Sequence, residues 1–120
     1  MCPSPHVPDD GMLLPAFDCT GISGAAIMPS ARVTGDASKG CVWIERAKGV
    51  WQVALWEPGW WARFNPVRIY DAGGNQVWSE LDPPRDIGGG FGPDYDPPRI
   101  PAQCRVDEYP DPWYVAPFFP

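Results

Sequence analysis

The four cysteines have the most definite chemistry in this chain, and their spacing limits what that chemistry is. They stand at positions 2, 19, 41 and 104. A structural zinc site favours closely spaced ligand pairs such as C-x₂-C, because two ligands from one turn fix half of the tetrahedron. No such pair occurs, and the one histidine is His6. We predict no metal and no cofactor, and two alternatives remain: a Cys41–Cys104 disulfide, or two buried thiols in a reducing compartment.

Aromatic side chains are the second group of interest, because they bind through contact rather than reaction. The chain has 7 Trp, 4 Tyr and 5 Phe. Four tryptophans alternate with other apolar residues and are predicted to fill the core: Trp43, Trp51, Trp56 and Trp78. The predicted binding residues lie in or beside loops: Trp60, Trp61, Phe91, Tyr95, Trp113 and Tyr114. Rings in loops anchor proteins or sugars because they bury a large area at low entropy cost; covering the ends of a small barrel is the alternative role.

Residues 88–92, with the sequence Gly-Gly-Gly-Phe-Gly, resemble a phosphate-binding loop only superficially. Such a loop opens a helix whose N-terminus faces the anion, whereas Pro93 and an acidic, proline-rich segment follow here. Close packing against a neighbouring backbone is the favoured interpretation.

Carboxylates are the remaining groups with chemical potential. Four of them lie in one acidic segment: Asp82, Asp86, Asp94 and Asp96. They have the oxygen ligands that calcium takes, but their spacing matches no EF-hand. Glu45, Glu57 and Glu80 lie on or beside predicted strands, where a pair could serve glycoside hydrolysis. Solvated side chains are the favoured interpretation of both sets. We therefore predict no catalytic residue and lean against an enzyme.

The charge balance limits the classes of partner. Nine basic residues stand against 15 acidic ones, for a net charge of −6. Such a surface disfavours nucleic acid, and it either maintains solubility or imitates DNA toward a DNA-binding protein. No apolar run reaches the ~18 residues of a membrane span. The start lacks a signal peptide, so an extracellular or lipid-anchored form is expected only if Cys2 is a lipoprotein start; a natural start codon fits equally well.

Short alternating segments must position these residues. The pattern predicts strands at 41–45, 50–56, 60–64, 67–70 and 76–80, with the last two joined by a glycine-containing hairpin loop at 71–75. Weaker candidates for further strands are 24–28, 31–34, 103–107 and 113–116, and 82–101 is predicted to be an irregular loop. The fold class is all-β, a single small barrel or sandwich of five to seven short antiparallel strands with long Pro/Gly-rich loops. We divide the chain into a proline-rich segment or tether (1–23), a β domain (24–116) and a tail (117–120).

Several short motifs resemble a family of small actinobacterial or actinophage β domains with no known activity. They are Gly-Cys-Val-Trp-Ile-Glu at 40–45, Leu-Trp-Glu-Pro-Gly-Trp at 55–60, Val-Arg-Ile-Tyr-Asp at 67–71, Gly-Gly-Gly at 88–90, and the late Cys104. The likeness extends over roughly residues 32 to 115. It implies a compact β domain and export, and it carries no activity with it.

These features rank the functions. The first hypothesis is a non-enzymatic protein-interaction or surface module, exported or phage-encoded, with another protein as its partner. The second is a carbohydrate-binding module in which Trp60, Trp61 and Trp113 form an exposed platform. The third is a phage inhibitor that binds a host protein through an acidic face, and the fourth is a small hydrolase.

Overall fold

The computed structural model describes residues 6–17, 26–47, 49–92, 99–106 and 111–115. These residues form nine strands and one 3-10 turn. In chain order they are β1 (Met12–Leu13), β2 (Ala26–Asp36), β3 (Cys41–Ala47), β4 (Val50–Leu55), β5 (Trp61–Arg63), β6 (Arg68–Tyr70), β7 (Gln76–Ser79), β8 (Arg85–Phe91), the 3-10 turn Ala102–Cys104, and β9 (Trp113–Val115). Among the residues described, no helix has the length and apolar character needed to cross a membrane.

Five strands close a barrel in the order β2-β3-β4-β9-β8. Strands β2, β3 and β4 pair antiparallel in succession, and β8 returns antiparallel to β2. Three consecutive strands with a fourth beside the first make a Greek key. Strand β9 then closes the barrel, parallel to β4 and antiparallel to β8. The predicted all-β barrel is confirmed, and the parallel β4–β9 pair is an addition to the antiparallel arrangement expected.

Strands β3 and β4 are apolar on both faces because each face is covered by a different layer. Val42 and Ile44 point into the barrel and belong to its main buried cluster. Their neighbours Cys41 and Trp43 point outward into a second cluster, together with Ile100 from the segment that crosses the outer face. Successive side chains therefore still alternate between the two faces of each strand, but the residues on both faces are apolar, as in strands buried on two sides.

A second sheet of four strands, in the order β1-β5-β6-β7, packs against the barrel. Strands β5, β6 and β7 lie in the connection between β4 and β8. Ala62, Ile69 and Trp78 of this sheet belong to the same buried cluster as Ile44 and Trp113 of the barrel. The two sheets thus share one core, which makes the second sheet part of the same domain.

The structure differs from the sequence-based prediction in where the β domain begins and in the extent of its first long strand. The predicted tether contains β1, and Leu14 and Phe17 are buried, so the β domain begins well before residue 24. The two strands predicted at 24–28 and 31–34 are the single strand β2. A register irregularity between Met28 and Ala31 surrounds Pro29, which has no N–H to donate to a ladder.

The predicted irregular loop at 82–101 contains β8, which pairs with both β2 and β9. The predicted strand at 103–107 is instead the 3-10 turn at Ala102–Cys104. At β8, pairing with two strands distant in sequence determined the backbone conformation, which the local composition did not indicate. Around Cys104, local backbone hydrogen bonds from Cys104 to Pro101 and from Arg105 to Ala102 form the turn instead of a strand.

Candidate functional site

A polar cleft on the outside of the barrel is the site with the most varied chemistry among the described residues. The pairing register puts Arg32 of β2 opposite Glu45 of β3, and Glu45 opposite Trp51 of β4. Directly opposed residues on one face lie within side-chain contact distance, so this row brings a cation, a carboxylate and an indole together. The cleft has a volume of about 170 Å³, and its lining consists of this row with Val33, Thr34 and Glu80.

Trp51 is the half-exposed aromatic residue of the cleft lining. Its side chain is 40% exposed, which is unusual for a tryptophan in this chain. The ring stacks on Trp43 with centroids 5.3 Å apart and planes inclined by 26°. Trp43 is buried, and its Nε1 donates a 2.7 Å hydrogen bond to the carbonyl oxygen of Cys104. The exposed ring is therefore supported from below by a buried one that is itself held in place.

A disulfide fixes Cys104, the residue whose carbonyl oxygen holds the supporting ring of Trp43. Cys41 and Cys104, the pair singled out in the sequence, are bonded, with an S–S distance of 2.00 Å and Cα atoms 5.5 Å apart. Cys2 and Cys19 lie outside the described residues. The bridge attaches the 3-10 turn to β3, and Cys41, Trp43 and Cys104 are buried together. A continuous series of contacts thus joins the disulfide to Trp43 and then to Trp51.

The two glutamates of the cleft are anchored by backbone and indole donors. Glu45 Oε2 accepts hydrogen bonds from the Gly49 backbone N–H at 3.2 Å and from Trp51 Nε1 at 3.4 Å. Glu80 Oε1 accepts one from the Val67 backbone N–H at 2.5 Å. Because these hydrogen bonds restrain the carboxylates, both side chains have defined orientations in the cleft lining.

Arg32 contributes the only positive charge of the lining. Its guanidinium makes no hydrogen bond or ion pair with any residue that the structure describes. Glu45 and Glu80 are the two acidic residues of the lining, which therefore carries two negative charges and one positive charge. The cleft is therefore weakly acidic and offers both hydrogen-bond donors and acceptors.

Three of the six predicted binding aromatics are buried, so the exposed platform expected of Trp60, Trp61 and Trp113 does not exist. Their exposed fractions are 5%, 4% and 2%. Trp61 stacks on Tyr70 with centroids 4.2 Å apart, and the Arg63 guanidinium lies 5.0 Å from the Trp61 centroid. These residues stand in or beside predicted loops in the sequence but pack in the core, whereas the alternative considered for them was to cover the ends of a small barrel.

The other predicted aromatics have separate positions. Phe91 is 58% exposed, packs edge-on against Trp113, and has the Arg46 guanidinium 5.4 Å from its ring centroid. Tyr114 is half-buried and stacks on Phe17 at 5.7 Å. Tyr95 lies outside the described residues. The structure therefore brings neither Phe91 nor Tyr114 into the cleft.

Gly89 and Gly92 serve close packing rather than anion binding. They lie on or just after β8, and a Cβ at Gly89 would stand 1.9 Å from the Tyr114 carbonyl oxygen. A Cβ at Gly92 would stand 2.5 Å from the Tyr114 ring. Side chains are excluded here because β9 approaches the backbone of β8 directly.

The acidic segment has structural partners where it is described. Asp82 Oδ2 accepts from the Ser79 N–H, and Asp86 Oδ1 accepts from the Ser30 N–H. Asp94 and Asp96 lie outside the described residues. Within the described ranges, no group of three or more His, Cys, Asp or Glu side chains is arranged to hold a metal ion.

The cleft was only partly visible in the sequence. Glu45 and Glu80 were singled out for their carboxylates, but Trp51 was assigned to the core and Arg32 was passed over. The available signal was the tight connection around Gly49, which sets Glu45 across from Trp51.

In comparisons with known proteins, no family model, curated protein or solved structure matches this chain.

Proposed function

We propose that this domain is a non-enzymatic binding module that recognises its ligand at the cleft around Trp51. The observation that carries the proposal is the supported, half-exposed indole with charged side chains on its rim. Ligand sites combine an aromatic surface with a few fixed polar groups, because the first gives affinity and the second gives orientation. The hypothesis drawn from the sequence, a protein partner, is one of the two ligand classes that this site can serve.

The distribution of carboxylates supports binding over hydrolysis. A general acid for glycoside hydrolysis needs a pKa raised by its surroundings. Burial, with a smaller contribution from the negative charge of Asp71, raises the pKa of Glu57. Glu57 is not part of the cleft lining, however. The carboxyl with a raised pKa and the aromatic surface are therefore in different places.

The disulfide supports a location outside the reducing cytoplasm. Disulfides form and persist in oxidising compartments and are rare in the cytosol. The Cys41–Cys104 bridge also stiffens the face that carries the cleft, since Cys104 accepts the hydrogen bond of Trp43. A rigid recognition surface loses little conformational entropy when it binds. These two points agree with the export that the family resemblance implies.

The test is a search for ligands with a matched pair of variants. The folded, oxidised domain is screened against a phage-displayed peptide library and against a printed oligosaccharide array. Trp51→Ala removes the exposed ring of the cleft, and Phe91→Ala removes an exposed ring elsewhere on the surface. Each ligand that binds is then incubated with the domain for a day and examined by mass spectrometry.

We expect a ligand that binds the parent and Phe91→Ala equally, binds Trp51→Ala at least about tenfold more weakly, and is recovered unchanged. Chemical conversion of the ligand would overturn the non-enzymatic assignment. Equal binding by Trp51→Ala and the parent would overturn the assignment of the site.

A further inference from the structure

Resting on this proposed function, we infer that the ligand of the cleft is a neutral sugar residue of a glycan. The inference comes from three properties of the same site: a flat apolar surface, a mixed set of hydrogen-bonding groups and a weakly acidic lining. No single one of them selects a saccharide. Together they disfavour charged ligands and ligands that need a cleft larger than a single ring.

The indole of Trp51 supplies the apolar surface. Because Trp43 covers one face of the ring at 5.3 Å, the accessible part of Trp51 is directed away from that neighbour. A pyranose ring presents a flat patch of C–H groups, which packs against an indole face with loss of water from both surfaces. The indole N–H bonds to Glu45, so the ring is held in one orientation before any ligand arrives.

The rim supplies what the hydroxyl groups of a sugar need. Each hydroxyl donates one hydrogen bond and accepts others, so its binding site must offer both kinds of partner. Arg32 donates only, Glu45 and Glu80 accept only, and the Thr34 hydroxyl does both. The Arg32 guanidinium, which has no partner among the described residues, can take two neighbouring hydroxyls with its planar fork.

The charges of the lining select a neutral ligand. Two carboxylates repel phosphate, sulfate and uronic acid groups from the cleft. A cationic ligand, which would otherwise suit an indole flanked by carboxylates, is opposed by Arg32 on the same face. An uncharged polyhydroxylated ring has no like-charge repulsion with any of these groups.

The size of the cleft indicates a single ring. Sites for drug-sized ligands have volumes of ~300 Å³ and more. This cleft, at about 170 Å³, accommodates one ring-sized unit, with the rest of a glycan extending into solvent. Affinity for one such unit is expected to be weak, so clustered presentation of the glycan strengthens the interaction.

The experiment measures binding of the full oxidised chain to printed neutral, uronic-acid and amino-sugar oligosaccharides, followed by calorimetric titration of the strongest. We expect neutral sugars alone to bind. Trp51→Ala should weaken binding by about tenfold or more, Trp51→Phe should retain part of it, and Phe91→Ala should leave it unchanged. Arg32→Gln should weaken binding severalfold without altering the melting temperature.

Ligand observation by saturation-transfer NMR on the unmodified protein keeps the inference testable if Trp51→Ala does not fold. Ring C–H protons of the sugar should receive the strongest transfer when the aromatic protons of the domain are irradiated. Stronger transfer to substituents than to the ring would overturn the inference.

The outcomes separate the two proposals. Binding only to charged sugars, or binding to peptides with no sugar retained, would overturn the saccharide inference and leave a non-enzymatic module intact. Cleavage of a bound neutral glycan, with new reducing ends, would overturn the non-enzymatic assignment while the ligand class stands. Sugar binding that survives in Trp51→Ala would overturn the site itself.

Discussion

Removal of the Cys41–Cys104 cross-link should destabilise the domain strongly, and the amount can be worked from the loop that it closes. The two cysteines are 63 positions apart in sequence. In the chain-entropy description, cross-linking a loop of this length removes unfolded-state entropy worth about 4 kcal/mol at 25 °C. For a domain of 120 residues, an unfolding entropy of ~2.1 cal/mol/K per residue converts this into a melting temperature lower by about 15 °C.

The assay compares three samples by thermal and urea unfolding: the oxidised protein, the same protein after reduction, and Cys41→Ala/Cys104→Ala. Reduction keeps both sulfur atoms in the buried cluster, so it isolates the cross-link from the loss of packing. The double variant should be less stable than the reduced protein, because both side chains are nearly fully buried and leave small cavities.

Peptide mapping provides the control for this assay. Without reductant, trypsin should release residues 40–46 and 100–105 as one linked species. The urea dependence of the unfolding free energy should also increase on reduction, because the unfolded chain expands. Linked peptides together with a reduced protein that melts within about 4 °C of the oxidised one would refute the entropic reasoning.

Two further predictions concern single residues. Glu57→Gln should raise stability at pH 7 but leave it unchanged at pH 3.5. The folded-state pKa of Glu57 lies above the ordinary value of 4.5, so the charged carboxylate is disfavoured in the fold and stability is lost as the pH rises from the ordinary pKa through the raised one. Urea midpoints at both pH values test this, and an equal change at each would contradict it. Gly89→Ala should cost about 3 kcal/mol or more, since φ is +146° and the new Cβ would meet the Tyr114 carbonyl oxygen. Its control, Gly73→Ala, meets nothing closer than 3.4 Å and should change the melting temperature little.

The local β pattern was readable wherever partners are close in sequence. Alternation at 41–45 and 50–56 predicted β3 and β4, and the glycine-containing loop at 71–75 predicted the β6–β7 hairpin, all of which the structure contains. In these segments the strand partner lies a few residues away. Local propensity and final pairing therefore agree.

Strand β8 shows where this agreement ends. Three consecutive glycines disfavour a strand because they have no side chains to pack and lose much entropy. Gly89 at least is required here, because the backbone of β9 comes so close that a Cβ at Gly89 would overlap Tyr114. That requirement arises from a strand more than 20 residues further along the chain, which no local pattern reveals.

The identity of the exposed tryptophan depended on tertiary structure in the same way. Along β4, outward-facing Trp51, Val53 and Leu55 are all apolar, so their pattern does not distinguish which one reaches solvent. The segment around Ile100 covers Val53 and Leu55 but leaves the Trp51 row open. The position of Trp60 and Trp61 next to the Glu-Pro-Gly turn at 57–59 made them seem exposed, although both are buried.

The position of β9 has a consequence for synthesis of the chain. This strand inserts between β4 and β8, and it is the last strand in chain order among the residues described. Until residues 113–115 leave the ribosome, β4 and β8 each present an unsatisfied edge, and the barrel stays open. Closure therefore waits until β9 itself has emerged, and a nascent chain held in that open form is a suitable substrate for a translocation channel or a chaperone.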